Sequence, residues 1–237
     1  MGCEIIAELH TSHGGDIALA KEFIKRCAEA GAHWVKFQSY QTKHLRPSDP
    51  QEAWLKQAEL SDEAHHVLKS ACEAAGIKFL TTVFTADRVP FLVSLGLEAI
   101  KIGSGESFEV ELVRAATRTQ IQSVFVSHDI GQMALWDARA RYFRCISRYP
   151  APLEYARSVV RLVPPDHQVG WSDHCIGLAA CEDAIMGGAQ YVEKHMTFVD
   201  AKRPAQAWEM TLAELKQLRK FVDDGPERFI GRWQANL

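Results

Sequence analysis

The sequence predicts a single (β/α)8 barrel, a TIM barrel of the α/β class, on three observations. Eight short apolar or β-branched runs alternate with segments of helical periodicity along the whole chain. No linker, repeat or low-complexity tract divides it, so residues 1–237 read as one domain. A length of 237 residues with 47% hydrophobic content suits one such core. A doubly wound sheet is the rival, but it needs fewer strands and usually a Gly-rich first turn. The residues after Leu9, His-Thr-Ser-His-Gly-Gly-Asp, are not G-x-G-x-x-G.

The elements follow in order. The run Glu4 to Leu9 is the first strand, and a helix from Ile17 to Ala30 follows, with Asp16 as its N-cap and Gly31 just past its end. The second strand is His33 to Gln38. Ser61 caps a helix reaching Ala75, where Gly76 turns the chain into the third strand, Ile77 to Val83. A helix from Ala86 to Leu95, closed by Gly96, leads to the fourth strand, Leu97 to Ile102. Strands five and six are Gln122 to Ser127 and Tyr142 to Ser147. The helix Leu153 to Val163, the strand Gln168 to Ser172, the helix Gly177 to Gly187 and the strand Tyr191 to His195 complete the eight, and a last helix runs from Thr211 to Asp223.

Composition narrows the function classes. With 27 Lys plus Arg against 30 Asp plus Glu, the net charge of −3 offers no footprint for nucleic acid or an anionic membrane. No stretch reaches the ~18 apolar residues of a membrane span, and the N-terminus lacks a signal-peptide layout, so the expected location is cytoplasmic. Ile6 stands where N-myristoylation needs Ser or Thr. Six dispersed cysteines without a C-x-x-C pair read as reduced core thiols.

In such a barrel the chemistry sits at the carboxyl ends of the strands. Polar residues fall there on nearly every strand: Glu8, Lys36 and Gln38, Thr82, Lys101, Ser127, Ser147 and Arg148, Ser172 to His174, and Glu193 to His195. Alternation puts Lys36 with Gln38, Ser172 with His174, and Glu193 with His195 on shared faces, and turns Lys194 toward the helices. His174 and His195, on adjacent strand ends, are placed to meet one divalent ion. Imidazole suits Mn, Fe, Co or Zn, and a site completed by waters and substrate oxygens favours Mn, with Mg or Co as alternatives.

Lys36 and Lys101 are costly to bury without an anionic partner, which points to a phosphate or carboxylate ligand aided by the hydroxyls of Thr82, Ser104, Ser127 and Ser172. A Schiff-base role for Lys101 and a structural salt bridge are the alternatives. Glu8 and Glu106 are the candidate general bases or substrate-orienting carboxylates, with structural pairing to Lys36 or Lys101 as the other reading. His10 and His13 follow the first strand on a Gly-rich loop, and His10 is unassigned. His65, His66 and Arg88 read as solvated helix residues, and Trp208 sits in a loop able to cover the mouth.

The segments EIIAELHTSHGGD, WVKFQ, FLTT, IKIGSGE, ISRYP, VGWSDHCIG and GAQYVEKHMT, in this order, resemble the N-acetylneuraminate (sialic acid) synthase family from Glu4 to about Phe221. The resemblance implies a metal-dependent condensation of phosphoenolpyruvate with an aldehyde, a sugar or sugar derivative, giving a 2-keto-3-deoxy acid and phosphate. It implies His174 and His195 as metal ligands, with Lys36, Thr82, Lys101, Ser104, Ser127 and Ser172 on phosphoenolpyruvate. It also implies that Glu106 acts on water and that Glu8 and Gln38 touch substrate.

The departures lie mostly on the sugar side. Arg148 stands where the family has an Asn, Gln206 where it has the aminosugar Asp, Ser12-His13-Gly14-Gly15 replaces N-H-N-G, and Ser127-His128-Asp129-Ile130 replaces S-T-G-M. The fifth helix looks cut to about Gln132 to Arg139. Family members carry a C-terminal antifreeze-like domain that reaches a partner's site with an Arg, whereas only Gly225 to Leu237 follows the barrel here. Arg148 is the expected replacement charge. The cleft is expected to be open, or closed by the loop Thr42 to Glu59 or by a separate lid-supplying partner; the family resemblance also implies a homodimer, without the lid exchange that the C-terminal domain provides. A Schiff-base aldolase and a non-catalytic binder of phosphate or carboxylate ligands are the alternative functions.

Overall fold

The computed structural model describes residues 2–44, 50–131, 136–160 and 168–225. Within them, eight parallel strands close into a barrel in sequence order. The strands are β1 (Glu4–Glu8), β2 (Trp34–Ser39), β3 (Lys78–Val83), β4 (Ala99–Ile102), β5 (Ser123–Asp129), β6 (Ala140–Cys145), β7 (Gln168–Asp173) and β8 (Tyr191–His195). Closure comes from β1 against β8, with Glu8 level with His195. Each strand coincides with one of the eight predicted runs to within two residues at either end.

The helices are α1 (Ile17–Glu29), α2 (Glu52–Ala58), α3 (Asp62–Ala74), α4 (Val89–Ser94), α5 (Val110–Thr117), α6 (Leu153–Val160), α7 (Ala179–Met186) and α8 (Leu212–Asp224). Their ends are set by local chemistry. The Asp16 carboxylate accepts from the Leu19 N–H at 3.0 Å and Ser61 Oγ from the Ala64 N–H at 3.1 Å, relieving the unpaired donors of α1 and α3. Thr211 and Glu214 form a reciprocal capping box at the start of α8. Gly31 leaves α1 at φ 95°, where a Cβ would stand 2.6 Å from Arg219 Cγ.

Several expectations need correction. Helix α2 lies inside the segment expected as the loop Thr42 to Glu59, whereas α5 fills the interval between strands four and five where eight strand-helix units require a helix. The shortened fifth helix at Gln132 to Arg139 falls partly on residues 132–135, outside the described residues; residues 136–139 are not helical and lead directly into β6. The predicted end of α6, residues 161–163, also lies outside them. His65 and Arg88 are buried, not solvated. His65 Nδ1 donates to the Ser61 carbonyl at 2.8 Å and its ring meets Phe79 and Phe91. Arg88 bonds Ser39 Oγ at 2.8 Å, pairs with Asp62, and lies 4.1 Å over the Phe91 ring.

The barrel interior has two storeys. Ile6, Trp34, Leu80, Ala99, Phe125 and Phe143 form an apolar plug at the amino-terminal end, separate from the large core between strands and helices. Two residues further along the same strands, the inward positions become Glu8, Lys36, Thr82, Lys101, Ser127 and Cys145. The plug seals the bottom, and the polar storey opens at the top. Among the described residues no helix is long and apolar enough to cross a membrane.

Candidate active site

The polar storey floors a cavity of about 750 Å³ at the carboxyl ends of the strands. Its centre is an ionic cluster. Lys36 Nζ lies 2.8 Å from Glu8 Oε2 and 3.0 Å from Glu193 Oε1, and Lys101 Nζ lies 2.6 Å from Glu193 Oε2. Ser172 Oγ donates to Glu193 Oε1 at 3.0 Å, and the Lys101 ammonium sits 4.2 Å over the Phe143 ring of the plug. Burial pushes the Lys36 amine down to about 8, with Glu193 opposing that fall. Burial alone would raise the Glu193 carboxyl, but Lys101 and Lys36 outweigh it and hold the group well below the usual carboxylate range. Each ammonium has three N–H donors, so neither lysine is saturated by the carboxylates it meets.

Around this cluster stand hydroxyls without partners. Thr82 Oγ1 and Ser127 Oγ are buried, line the cavity, and have no hydrogen-bond partner among the described residues. A buried hydroxyl left in this state is costly, and a polar ligand removes the cost. Ser104 Oγ bonds Ser147 Oγ at 2.7 Å. Glu106 approaches from the loop after β4, with Oε2 only 2.7 Å from where a Cβ on Gly103 would be, so Gly103 makes its position accessible. Burial raises the Glu106 carboxyl above its ordinary value, and the nearby Glu109 charge adds to the shift.

The two strand-end histidines face one another across 5.6 Å between ring centroids. His174 Nδ1 lies 2.8 Å from the Ile146 carbonyl, an acceptor only, so Nδ1 carries the proton and Nε2 keeps its lone pair. Burial lowers both histidines, His195 further than His174, with His174 and His10 adding to the effect on His195; both rings are neutral near pH 7. Two neutral imidazoles, one with its ligating nitrogen already oriented, fit a borderline divalent cation. Among the described residues no cluster of three or more His, Cys, Asp or Glu is arranged to hold a metal. His174 and His195 would supply two ligands, and water or substrate oxygens could complete the set.

The cavity thus brings together Glu8, Lys36, Gln38, Thr82, Lys101, Ser104, Glu106, Ser127, Ser172, His174, His195 and Gln206. Arg148 is not among its lining residues and the expectation for it is corrected. The chain leaves β6 at Cys145, Asp129 Oδ2 accepts from the Ser147 N–H at 2.5 Å, and the turn exposes Arg148 while Tyr149 takes the inner place. The Tyr149 ring lies 4.2 Å from His174 and 5.6 Å from Trp208, the loop tryptophan that does reach the mouth.

Glu193 was not nominated from the sequence, although its spacing from His195 puts it on the same inward face. His10, Trp54, Arg203 and Glu209 also line the cavity. Arg203 pairs with the buried Glu209, whose second oxygen accepts from the Gln206 N–H at 2.9 Å and folds that loop over the opening. Trp54 belongs to α2, which packs on the β1–α1 loop so closely that a Cβ on Gly15 (φ 83°) would lie 2.1 Å from the Gln57 carbonyl oxygen.

Comparison with known proteins identifies the family and the fold. A protein-family model described as the NeuB family matches residues 23–227. The N,N'-diacetyllegionaminic acid synthase of Legionella pneumophila is 31% identical over 94% of this chain and 72% of its own. The N-acetylneuraminate-9-phosphate synthase of Drosophila melanogaster is 28% identical over 81% of this chain, which spans 59% of that protein. A crystal structure of N-acetylneuraminic acid (sialic acid) synthetase from Leptospira borgpetersenii, in complex with citrate, superposes with a TM-score of 0.82 at 24% identity, over 97% of this chain and 85% of the other, and shows the shared fold.

Proposed function

The chain belongs to the NeuB family, and on that premise we propose that it condenses phosphoenolpyruvate with the aldehyde of an open-chain sugar or sugar derivative. The products are a 2-keto-3-deoxy acid and phosphate. The observation that carries the reading is a single one: two lysines anchored on Glu193 and two unpartnered buried hydroxyls share one cavity with the facing pair His174 and His195.

In this reading the remaining N–H donors of Lys36 and Lys101, with Thr82, Ser127, Ser172 and Ser104, bind the phosphate and carboxylate of phosphoenolpyruvate. Glu193 bridges the two lysines, one carboxylate oxygen on each. The C2=C3 π pair of phosphoenolpyruvate forms the bond from C3 to the aldehyde carbon, leaving C2 electron-poor and the aldehyde oxygen an alkoxide. Water adds at C2 and gives one proton to Glu106, matching the proton that the alkoxide takes up to become a hydroxyl. The C2–O bond to phosphate then breaks: phosphate leaves with the bridging oxygen and the proton of the new C2 hydroxyl, and C2 becomes the ketone. Glu8, Gln38 and Gln206 orient the acceptor. His174 and His195 would hold a divalent cation, Mn by its donor set with Mg or Co as alternatives, and that cation supplies Lewis-acid polarisation of the acceptor carbonyl. A Schiff-base route through Lys101 is disfavoured, because its nitrogen is ion-paired to Glu193 at 2.6 Å and offers no free lone pair.

The test is phosphate release from phosphoenolpyruvate with Mn and a panel of aldohexoses, N-acetylhexosamines and their 6-phosphates. Release that requires one acceptor class supports the reading. No release, together with no phosphoenolpyruvate binding by calorimetry, rejects it.

A further inference from the structure

We propose that His10 is a specificity-determining residue that donates a hydrogen bond from Nε2 to an oxygen of the acceptor sugar, and that it is not a third metal ligand. The inference rests on the synthase reading above and names a contact within that site.

His10 is the one non-glycine residue among the described residues with positive φ, at 50°. An L-residue held in this left-handed region costs free energy, and the cost persists only where surrounding contacts impose it. Here they do. The His10 N–H donates to Glu8 Oε1 at 2.8 Å, which turns the chain sharply at the end of β1. The turn brings the imidazole into the cavity, 5.6 Å from the His195 ring.

The hydrogen bonds then select the tautomer. Thr11 Oγ1 is buried and has two partners among the described residues: Trp54 Nε1 at 3.0 Å and His10 Nδ1 at 2.7 Å. An indole N–H only donates, so Thr11 accepts from Trp54. The hydroxyl hydrogen of Thr11 then has one acceptor in reach, His10 Nδ1. Nδ1 is therefore the lone-pair nitrogen and Nε2 bears the proton. His174 has the opposite arrangement, because its Nδ1 must donate to the Ile146 carbonyl. The two rings sit in one cavity with opposite tautomers: His174 offers a lone pair suited to a cation, and His10 offers an N–H suited to an oxygen. His10 lines the cavity and its Nε2 is not among the buried unpartnered atoms, so this nitrogen is accessible there and a ligand oxygen can accept from it.

The tautomer is read directly by two-bond 1H–15N correlation spectroscopy on the metal-free full chain labelled with 15N-histidine, His10 being assigned by the signal lost in H10Q. The expected pattern is Nε2–H, shifting to a mixture in T11V. An Nδ1–H pattern overturns the proposal.

Kinetics with the same sugar panel give the second readout. H10G fits the backbone without strain, and it is expected to raise KM for the acceptor about tenfold or more, the cost of one lost hydrogen bond and an unsatisfied partner. KM for phosphoenolpyruvate and the Mn dissociation constant are expected to stay within about twofold, and H10Q, which retains a donor, to recover most of the loss. Weakened Mn binding in H10G, or an unchanged acceptor KM, overturns the proposal. If the wild-type chain makes no product with any sugar, the synthase reading fails on its own. The His10 proposal is then decided by whether its Nε2–H signal moves when the panel is added: movement supports it, and an unmoved signal overturns it.

Discussion

Asp173 and Lys194 form a buried ion pair, 2.5 Å between Oδ2 and Nζ, on the outer faces of β7 and β8, and each directly precedes one of the two cavity histidines. Lys194 Nζ also donates to the Cys175 carbonyl at 2.6 Å, and Asp173 Oδ1 accepts from Trp171 Nε1 at 3.2 Å. The pair ties the two strand ends together from behind, so that the spacing of His174 and His195 is set by a contact neither residue makes. Replacing one partner leaves an uncompensated buried charge. Lys194→Met is expected to lose about 3 to 5 kcal/mol of unfolding free energy, and Lys194→Met with Asp173→Leu to lose less than the single change. Urea denaturation of both variants checks this.

Lys101 separates the two enzyme readings. Lys101→Met leaves Glu193 paired with Lys36, so the barrel should hold its fold, while phosphoenolpyruvate loses a charged donor. Its dissociation constant should rise roughly 10- to 100-fold by calorimetry. A Schiff-base enzyme would instead be trapped by borohydride with pyruvate in the wild type, in a reaction insensitive to EDTA.

Under the proposed reaction, Glu106 is expected to set the acid limb of the rate profile. It must be ionised to take the proton of water, and burial raises its carboxyl above the ordinary 4.5. Activity should therefore fail, as pH drops, earlier than an ordinary glutamate would allow. In Glu106→Gln the residual rate should lose that limb. A limb of unchanged position in the variant would assign it to another group.

Stability should also decline in acid through His65. Burial pushes its ring from 6.5 down to about 4, partly opposed by its bond to the Ser61 carbonyl. The folded ring stays neutral while the unfolded ring protonates, so stability is full above pH 6.5 and falls as pH drops toward 4. The loss is on the order of 3 kcal/mol across that interval. In His65→Phe, denaturation midpoints at pH 7 and pH 5 should lie closer together than in the wild type.

The strands were legible as short apolar or β-branched runs, because a barrel strand is buried on both faces, and side-chain alternation within them puts Lys36 with Gln38 and Glu193 with His195. What alternation does not carry is pairing through the barrel interior. Glu193 reaches Lys36 of β2 and Lys101 of β4, neither of which neighbours β8 in the sheet. Helix α2 was illegible because a seven-residue helix with one buried residue, Ala58, has no apolar stripe. His65 shares the buried stripe of its helix with Ala64, Leu68 and Cys72, a place that the polarity of an imidazole hides in the sequence. Arg148 was misplaced by a turn whose direction depends on Asp129, a residue of a different strand.

In the proposed reaction water adds to C2 of phosphoenolpyruvate after carbon–carbon bond formation in this cavity. The isotopic content of the phosphate released in 18O-water with Mn, phosphoenolpyruvate and the accepted sugar tests this directly. Acceptor-dependent phosphate free of solvent 18O is expected, because the C–O bond breaks. Phosphate carrying one solvent 18O, or released without any sugar, would contradict it.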